Sequence, residues 1–293
     1  MLGFKTITSL CLLASTIVTP ALAEEKHSDT PLRVMSIDWS QTETMIALGI
    51  TPVASAQQSD YNDWVRSPKI PAETVDVGLR TQPNLERLAE LELDTIFLSP
   101  RFSSLETQLS RIAPVKILGL YKVGEVNWDA VKDFTRRMAK EVKAVSQAEQ
   151  LIADSEQELN TLKGKLPADL APVLLVQFMD TKHVRVFGEN SIYKVALNQL
   201  GIQNAWDKET NAWGFNLTGI DKLQGIAGQI VVIEPLPAGV KEHLAQDQYW
   251  QYLVKQTGHP SLLVEPTWSF GGLPSALRFA NLITAALTEE VTQ

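Results

Sequence analysis

Histidine and cysteine, the side chains that most often bind metals or attack substrates, are scarce here, at four and one in 293 residues. His183, His243 and His259 stand apart, without HExxH spacing, a pair at helical spacing or an adjoining carboxylate cluster. Such a pattern encodes no zinc centre. There is no GxSxG elbow, no phosphate-cradling GxxxxGK[ST] loop, and no GxGxxG followed by an acid. With no nucleophile beside a base, an exported hydrolase is disfavoured and no catalytic residue is assigned. The chain offers arginines and aromatics at the ends of apolar runs instead. Arg80 follows the run 75–79, with Trp64 in the preceding loop, and Arg101 and Phe102 follow the run 95–99. Arg185 lies in the run 184–187, Trp206 and Trp213 in the irregular NAWDKETNAWGFN, and Trp268 and Phe270 after the run 262–265. A guanidinium presents fixed, paired donors to anionic oxygens, each charge-assisted bond contributing ~1.5–3 kcal/mol. Indoles supply broad apolar walls. Taken singly, a loop arginine is usually a solvated charge and a tryptophan after a strand a lid over the core. Together they describe a cleft for a bulky ligand with apolar flanks and a few exposed anionic oxygens. Asp38, Asp76, Asp94 and Asp221 stand beside strands or helix starts, where capping is the expected role.

The elements that must position these residues alternate. Apolar runs at 32–37, 53–56, 75–79, 95–99 and 115–118 read as strands, with helical patterns at 41–48, 83–93 and 105–112 between them. The same grammar returns at 172–178, 184–187, 230–234 and 262–265, with a closing helix from Leu273. Strand–helix–strand alternation predicts a largely parallel sheet with helices on both faces, here in two similar α/β lobes. Between them, 127–163 carries an apolar stripe at helical spacing and no Gly or Pro, with Asn127 placed as N-cap. It is expected to form one rigid helix on the order of 50 Å long that spans the lobes. The expected division is a signal peptide at 1–23, a first lobe at 24–126, a linking helix at 127–164 and a second lobe at 165–293. In open α/β sheets ligands bind beyond the carboxyl ends of strands, so two such lobes side by side define a cleft.

Hydrophobic residues at 44% and charged residues at 20% are globular values. The net charge of -8 repels nucleic acid and anionic membranes, and no basic run occurs. Lys5, the apolar stretch 7–18 and the small-x-small Ala21-Leu22-Ala23 form an export signal cleaved after Ala23. The lone Cys11 follows Leu10, where a lipoprotein signal wants a small residue, so a non-lipidated, soluble periplasmic protein is expected. Loss of Cys11 with the signal leaves no thiol for disulfides, catalysis or metal ligation.

TVDVGLRTQPNLERLAEL, VFGENSIYKVALNQLGIQNAWDKETNAWG and the central helical run resemble the periplasmic ferric-hydroxamate siderophore-binding proteins of the FhuD type. These are class III binding proteins with a helical backbone that serve ABC importers. The likeness covers essentially the whole mature chain. It implies a monomeric carrier that takes a ferric siderophore to an inner-membrane permease, with no cofactor and no protein metal ligand, because the chelator already fills the iron's coordination. Arg80 matches the arginine that binds the iron-bound hydroxamate oxygens. Trp64 matches a first-lobe wall, Trp213 the second-lobe tryptophan of NxWG, and Trp268 with Phe270 an aromatic pair on the second-lobe wall. Phe102 stands where the family has a tyrosine whose hydroxyl also binds those oxygens. Either Arg101 or Arg185 replaces that donor, or the preferred hydroxamate differs. Glu106 and Asp221 are the nearest matches to the acidic side chains that dock on the permease. The same fold carrying haem, cobalamin or another siderophore class is the alternative, with Tyr61, Tyr121 and His183 as possible haem ligands.

Overall fold

The computed structural model describes residues 31–122 and 126–290. The expected signal at 1–23 lies outside them. The first lobe begins with β1 (Val34–Ser36), α1 (Trp39–Ala47), β2 (Ala54–Ser55), α2 (Gln58–Trp64) and β3 (Val75–Asp76). A small hairpin of β4 (Gly78–Leu79) and β5 (Gln82–Pro83) leads to α3 (Leu85–Ala89) and β6 (Thr95–Leu98). A 3-10 turn, Pro100–Leu105, runs into α4 (Glu106–Leu109) before β7 (Val115–Ile117). The sheet order is β3-β2-β1-β6-β7, parallel throughout. Helices α5 (Trp128–Glu141) and α6 (Val145–Lys163) follow.

The second lobe contains β8 (Val173–Phe178), β9 (His183–Phe187), α7 (Ile192–Leu200) and β10 (Phe215–Gly219). After a 3-10 turn, Ile220–Leu223, come β11 (Gln229–Ile233), α8 (Val240–Gln246), α9 (Gln248–Gln256), β12 (Leu262–Val264) and α10 (Leu273–Glu290). Its order is β10-β9-β8-β11-β12. The β8–β11 and β11–β12 pairs are parallel, while β9 runs against both of its neighbours, β8 and β10. The expectation of a largely parallel sheet therefore holds fully in the first lobe and for two of the four strand pairings in the second.

Side chains alternate across each sheet, as the pleat requires. Val34 and Phe97 face an inner cluster, while Met35, Ile96 and Leu98 face an outer one under α3 and α4. In the second lobe Val173 and Leu175 face the same inner cluster, and Leu174, Val176 and Phe178 an outer one under α8 and α9. The inner cluster thus belongs to both lobes, with Phe134 of α5, Ile152 of α6, Tyr193 of α7 and Phe279 of α10 inside it.

The single 50 Å helix does not form. Asn127 caps α5 as expected, accepting from the Ala130 N–H at 2.9 Å. The helix then ends at Glu141, Lys143 adopts a left-handed φ of 57°, and α6 starts at Val145. The two helices fold back on each other. Trp128 Nε1 and Lys132 Nζ reach Glu156 at 3.1 and 3.0 Å, and Arg136 binds Glu149 through two nitrogens at 2.7 and 2.9 Å. The turn pays off in burial on both sides, since Val142 and Ala144 are 3% and 0% exposed. The longer arm, α6, measures about 28 Å. The lobes are joined through their shared inner cluster rather than by a strut.

Candidate functional site

Capping and turn chemistry bring the first-lobe residues to one edge of the sheet. Asp38 caps α1 by accepting from the Ser40 N–H at 2.9 Å, which sets Trp39 just beyond the end of β1. Asp76 accepts from the Gln57, Gln58 and Gly78 N–H groups at 3.1, 3.2 and 2.9 Å. It ties the start of α2, which carries Asp60 and Trp64, to the hairpin whose turn presents Arg80. Asp94 accepts from the Arg33 N–H at 2.8 Å. Asp38 takes the capping role expected of it and Asp76 serves the start of α2 from outside that helix, whereas Asp94 caps no helix and instead holds the backbone just before β1. Arg101 stands in the 3-10 turn after β6.

From the second lobe come Arg185 of β9, Phe215 of β10, and Trp268 and Phe270 between β12 and α10. Trp213 projects from a tight turn in which its N–H donates to Asn211 Oδ1 at 2.9 Å. Gly214 follows with φ 77°, and a Cβ there would lie 2.4 Å from the Ser191 backbone nitrogen. Only glycine fits that approach.

These residues enclose a cavity of about 500 Å³, lined by Trp39, Gln57, Asp60, Trp64, Arg80, Arg101, Arg185, Trp213, Phe215, Trp268 and Phe270. Its floor is an apolar cluster in which Trp39, Tyr61 and Val65 of the first lobe meet Trp268 of the second. The Trp39 and Trp268 rings pack edge-on at 4.8 Å. From Trp268 the rings continue to Phe270 at 5.1 Å, and from Phe270 to Trp213 at 5.5 Å. Tyr121 closes the row, 5.8 Å from Trp213, and donates its hydroxyl proton to the Gly271 carbonyl at 2.8 Å.

The Arg80 guanidinium lies 3.6 Å above the Trp39 ring and 5.4 Å from Trp268. Burial pulls its pKa down to about 10, and Arg101 pulls the same way, against the attraction of Asp38 and Asp60. Its Nε is buried with no hydrogen-bond partner, as is Trp268 Nε1. A desolvated cation with an unspent donor, facing a hollow, is an arrangement suited to an anionic oxygen from outside the chain. Arg185 rests 4.9 Å from Phe215 and donates to Gln177 Oε1 at 3.3 Å, and burial lowers its pKa too. Among the described residues no group of three or more His, Cys, Asp or Glu could hold a metal ion.

Seven of the residues singled out from the sequence line the one hollow: Trp64, Arg80, Arg101, Arg185, Trp213, Trp268 and Phe270. Phe102 does not. It is 4% exposed in the outer cluster of the first lobe, with the Arg80 guanidinium 5.9 Å from its ring. Trp206 is core as well, 5% exposed among the outer residues of the second lobe. Glu106 at the start of α4 and Asp221 in its 3-10 turn are exposed and outside the cavity, and Asp221 pairs with Lys222 at 3.0 Å. Of the possible haem ligands, Tyr61 is fully buried with its hydroxyl on the Pro68 carbonyl at 2.7 Å. His183 is exposed and bound to Asp180 at 2.9 Å. Trp39, Gln57, Asp60 and Phe215 were not anticipated. Trp39 carried the signal applied elsewhere, an aromatic just past a strand, whereas Phe215 opens a strand inside a stretch that reads as irregular.

The family model described as "Periplasmic binding protein" matches residues 34–254. The iron(3+)-hydroxamate-binding protein FhuD of Escherichia coli (strain K12) is 28% identical, over 98% of this chain and 99% of its own length. The achromobactin-binding periplasmic protein of Dickeya dadantii (strain 3937) is 28% identical, over 90% of this chain and 88% of its own. Among solved structures, the siderophore-binding protein FhuD of Vibrio cholerae with Fe3+-Desferal bound superposes with a TM-score of 0.83. It is 27% identical and the match covers 88% of this chain and 98% of that one. Among the described residues no helix is long and apolar enough to cross a membrane.

Proposed function

This chain belongs to the periplasmic binding protein family, whose members bind cargo rather than transform it, and we propose that it carries ferric siderophores of the hydroxamate class to an inner-membrane ABC importer. The observation that carries this reading is the Arg80 guanidinium, held 3.6 Å over Trp39 at the floor of a cavity walled by aromatics from both lobes. A ferric hydroxamate is an iron ion wrapped in organic oxygens. It needs no protein ligand for the metal, an apolar wall for its shell, and a donor for the negative edge of its oxygens. In this assignment Arg80 binds the iron-bound oxygens, and Trp64, Trp213, Trp268 and Phe270 form the walls. Arg101 and Arg185 supply further donors, and Phe102 acts from behind as packing for Arg80.

The proposed division remains a first lobe at 24–126 and a second at 165–293, joined through 127–164, which is now a helical hairpin. Exposed Glu106 and Asp221, one on each lobe, are the proposed contacts with the permease, and the carrier acts as an exported, non-lipidated monomer. Haem is a poorer fit, because Tyr61, Tyr121 and His183 each spend their polar atom on a partner within the chain and none of them lines the cavity.

Four tryptophans, Trp39, Trp64, Trp213 and Trp268, line the hollow, so their fluorescence reads occupancy. Ferrichrome, ferrioxamine B and ferric aerobactin should quench it, while the iron-free chelators at equal concentration should not. Absence of quenching by every ferric hydroxamate, together with a Soret shift on titrating haem, would overturn the assignment.

A further inference from the structure

Three guanidiniums share the cavity: Arg80 and Arg101 from the first lobe and Arg185 from the second. One suffices for the oxygens of an iron–hydroxamate centre. Asp60 is the one carboxylate among the lining residues, and it already accepts from the Gln57 side-chain amide. Elsewhere arginines meet acids: Arg66 and Arg278 both meet Glu265, Arg136 meets Glu149, and Arg137 meets Asp133. Among the described residues no ion pair engages Arg80, Arg101 or Arg185.

Each of the three rests against an aromatic ring, Arg80 at 3.6 Å from Trp39, Arg101 at 5.6 Å from Trp213 and Arg185 at 4.9 Å from Phe215. A ring face steadies a cation without neutralising it and without consuming its N–H donors. The result is a concentrated positive field in the cleft of a chain whose net charge is -8. Burial is what chiefly disfavours the charge on Arg80 and Arg185 while the cleft is empty, and Arg101 adds to it, against the attraction of Asp38 and Asp60 for Arg80. A negative charge placed between the lobes relieves it.

We infer that the cleft selects its cargo by charge, taking ferric hydroxamates that bear free carboxylate groups in preference to neutral and cationic ones, with Arg101 and Arg185 as the residues that set this preference. The inference rests on the siderophore reading above and deepens it. Arg80 addresses the iron-bound oxygens common to the class. Arg101 and Arg185 stand on opposite walls, where planar forks match a carboxylate on the chelator's backbone. A cargo with a pendant ammonium meets the same field with the opposite sign.

Derivatives of one iron cage test this directly. Ferrioxamine B carries a terminal ammonium. Acetylation removes its charge, succinylation replaces it with a carboxylate, and the succinamide is a neutral isostere of the last. Affinities of the full mature protein for all four are read from tryptophan quenching at low and at moderate salt. The succinyl form is expected to bind about tenfold tighter than the succinamide and the parent about tenfold weaker than the acetyl form. The spread should shrink as salt shortens the screening length. The Arg101→Gln/Arg185→Gln double variant, checked for an unchanged melting transition, should bring succinyl and succinamide forms together. Should that variant not fold, the salt series on the natural protein still decides. Equal affinities across the series, or a reversed order, would overturn charge selection and leave the siderophore reading intact. Failure of all four to bind would remove the siderophore reading itself, and charge selection with it.

Discussion

Replacing Arg80 by methionine should move stability and binding in opposite directions. In the empty protein the guanidinium is largely buried, and that burial pulls its pKa well below the ordinary arginine range, to about 10. That shift corresponds to roughly 3 kcal/mol of cost for keeping the charge where it is. The stack on Trp39 at 3.6 Å returns part of it, about 0.5–2 kcal/mol for a cation over an indole. Methionine keeps an unbranched apolar stem against Trp39 and removes the charge. The net expectation is an empty protein about 1–2 kcal/mol more stable, seen as a melting temperature raised by a few degrees. The ligand side loses two charge-assisted hydrogen bonds, about 3 kcal/mol or more, and therefore at least about a hundredfold in affinity. Calorimetric melting of the empty protein and quenching titration with a ferric hydroxamate read the two effects separately. A destabilised variant that binds as well as the natural protein would refute the reasoning, because Arg80 would then be a packing residue and not the cleft's donor.

Two further perturbations probe the supports of the site. Glu43 of α1 is fully buried at the junction with the second lobe, where it accepts from the Gly272 N–H and the Ser275 hydroxyl, both at 2.6 Å. Burial is the leading cause that raises its pKa from 4.5 to about 8, against those two donors. The folded state therefore holds a proton that the unfolded chain releases above 4.5, and stability contributed by Glu43 is lost as pH rises through that window toward 8. The slope is about 1.4 kcal/mol per pH unit. Glu43→Gln should flatten the fall in melting temperature between pH 5 and 8, and parallel curves for the two proteins would contradict it. Gly214→Ala forces a Cβ to within 2.4 Å of the Ser191 backbone at φ 77°. It should cost a few kcal/mol and displace Trp213, weakening quenching by ferric cargo, while Gly225→Ala, where a Cβ meets nothing within 4 Å, should leave quenching unchanged.

Much of this site could be read in the sequence because its logic is local. A strand ends, a short turn follows, and whatever stands there faces the hollow, so Arg80, Arg101, Trp268 and Phe270 were found by position. The helical hairpin was not legible. Its apolar stripe runs unbroken through Val131, Phe134, Met138 and Val142 into Ala148, Ile152 and Leu159, because both helices turn that stripe toward the same cluster. The reversal rests on Lys143 in a left-handed conformation, which neither glycine nor asparagine announces. Phe102 failed for a different reason. Its place after β6 is right, but the 3-10 turn rotates Arg101 outward and Phe102 under it, and the third of a turn between neighbours there is below what strand-end reasoning resolves. The reversal of β9 was missed although only residues 179–182 separate it from its antiparallel neighbour β8, whereas its other antiparallel partner, β10, lies beyond a helix and a long loop.

The inner cluster has a meaning for how the molecule comes apart. Val34 and Phe97 of one sheet and Val173 and Phe187 of the other bury themselves in a single apolar mass. Each half keeps an outer cluster of its own, but cutting the chain between them would bare the shared inner face of both, so the two are expected to melt together.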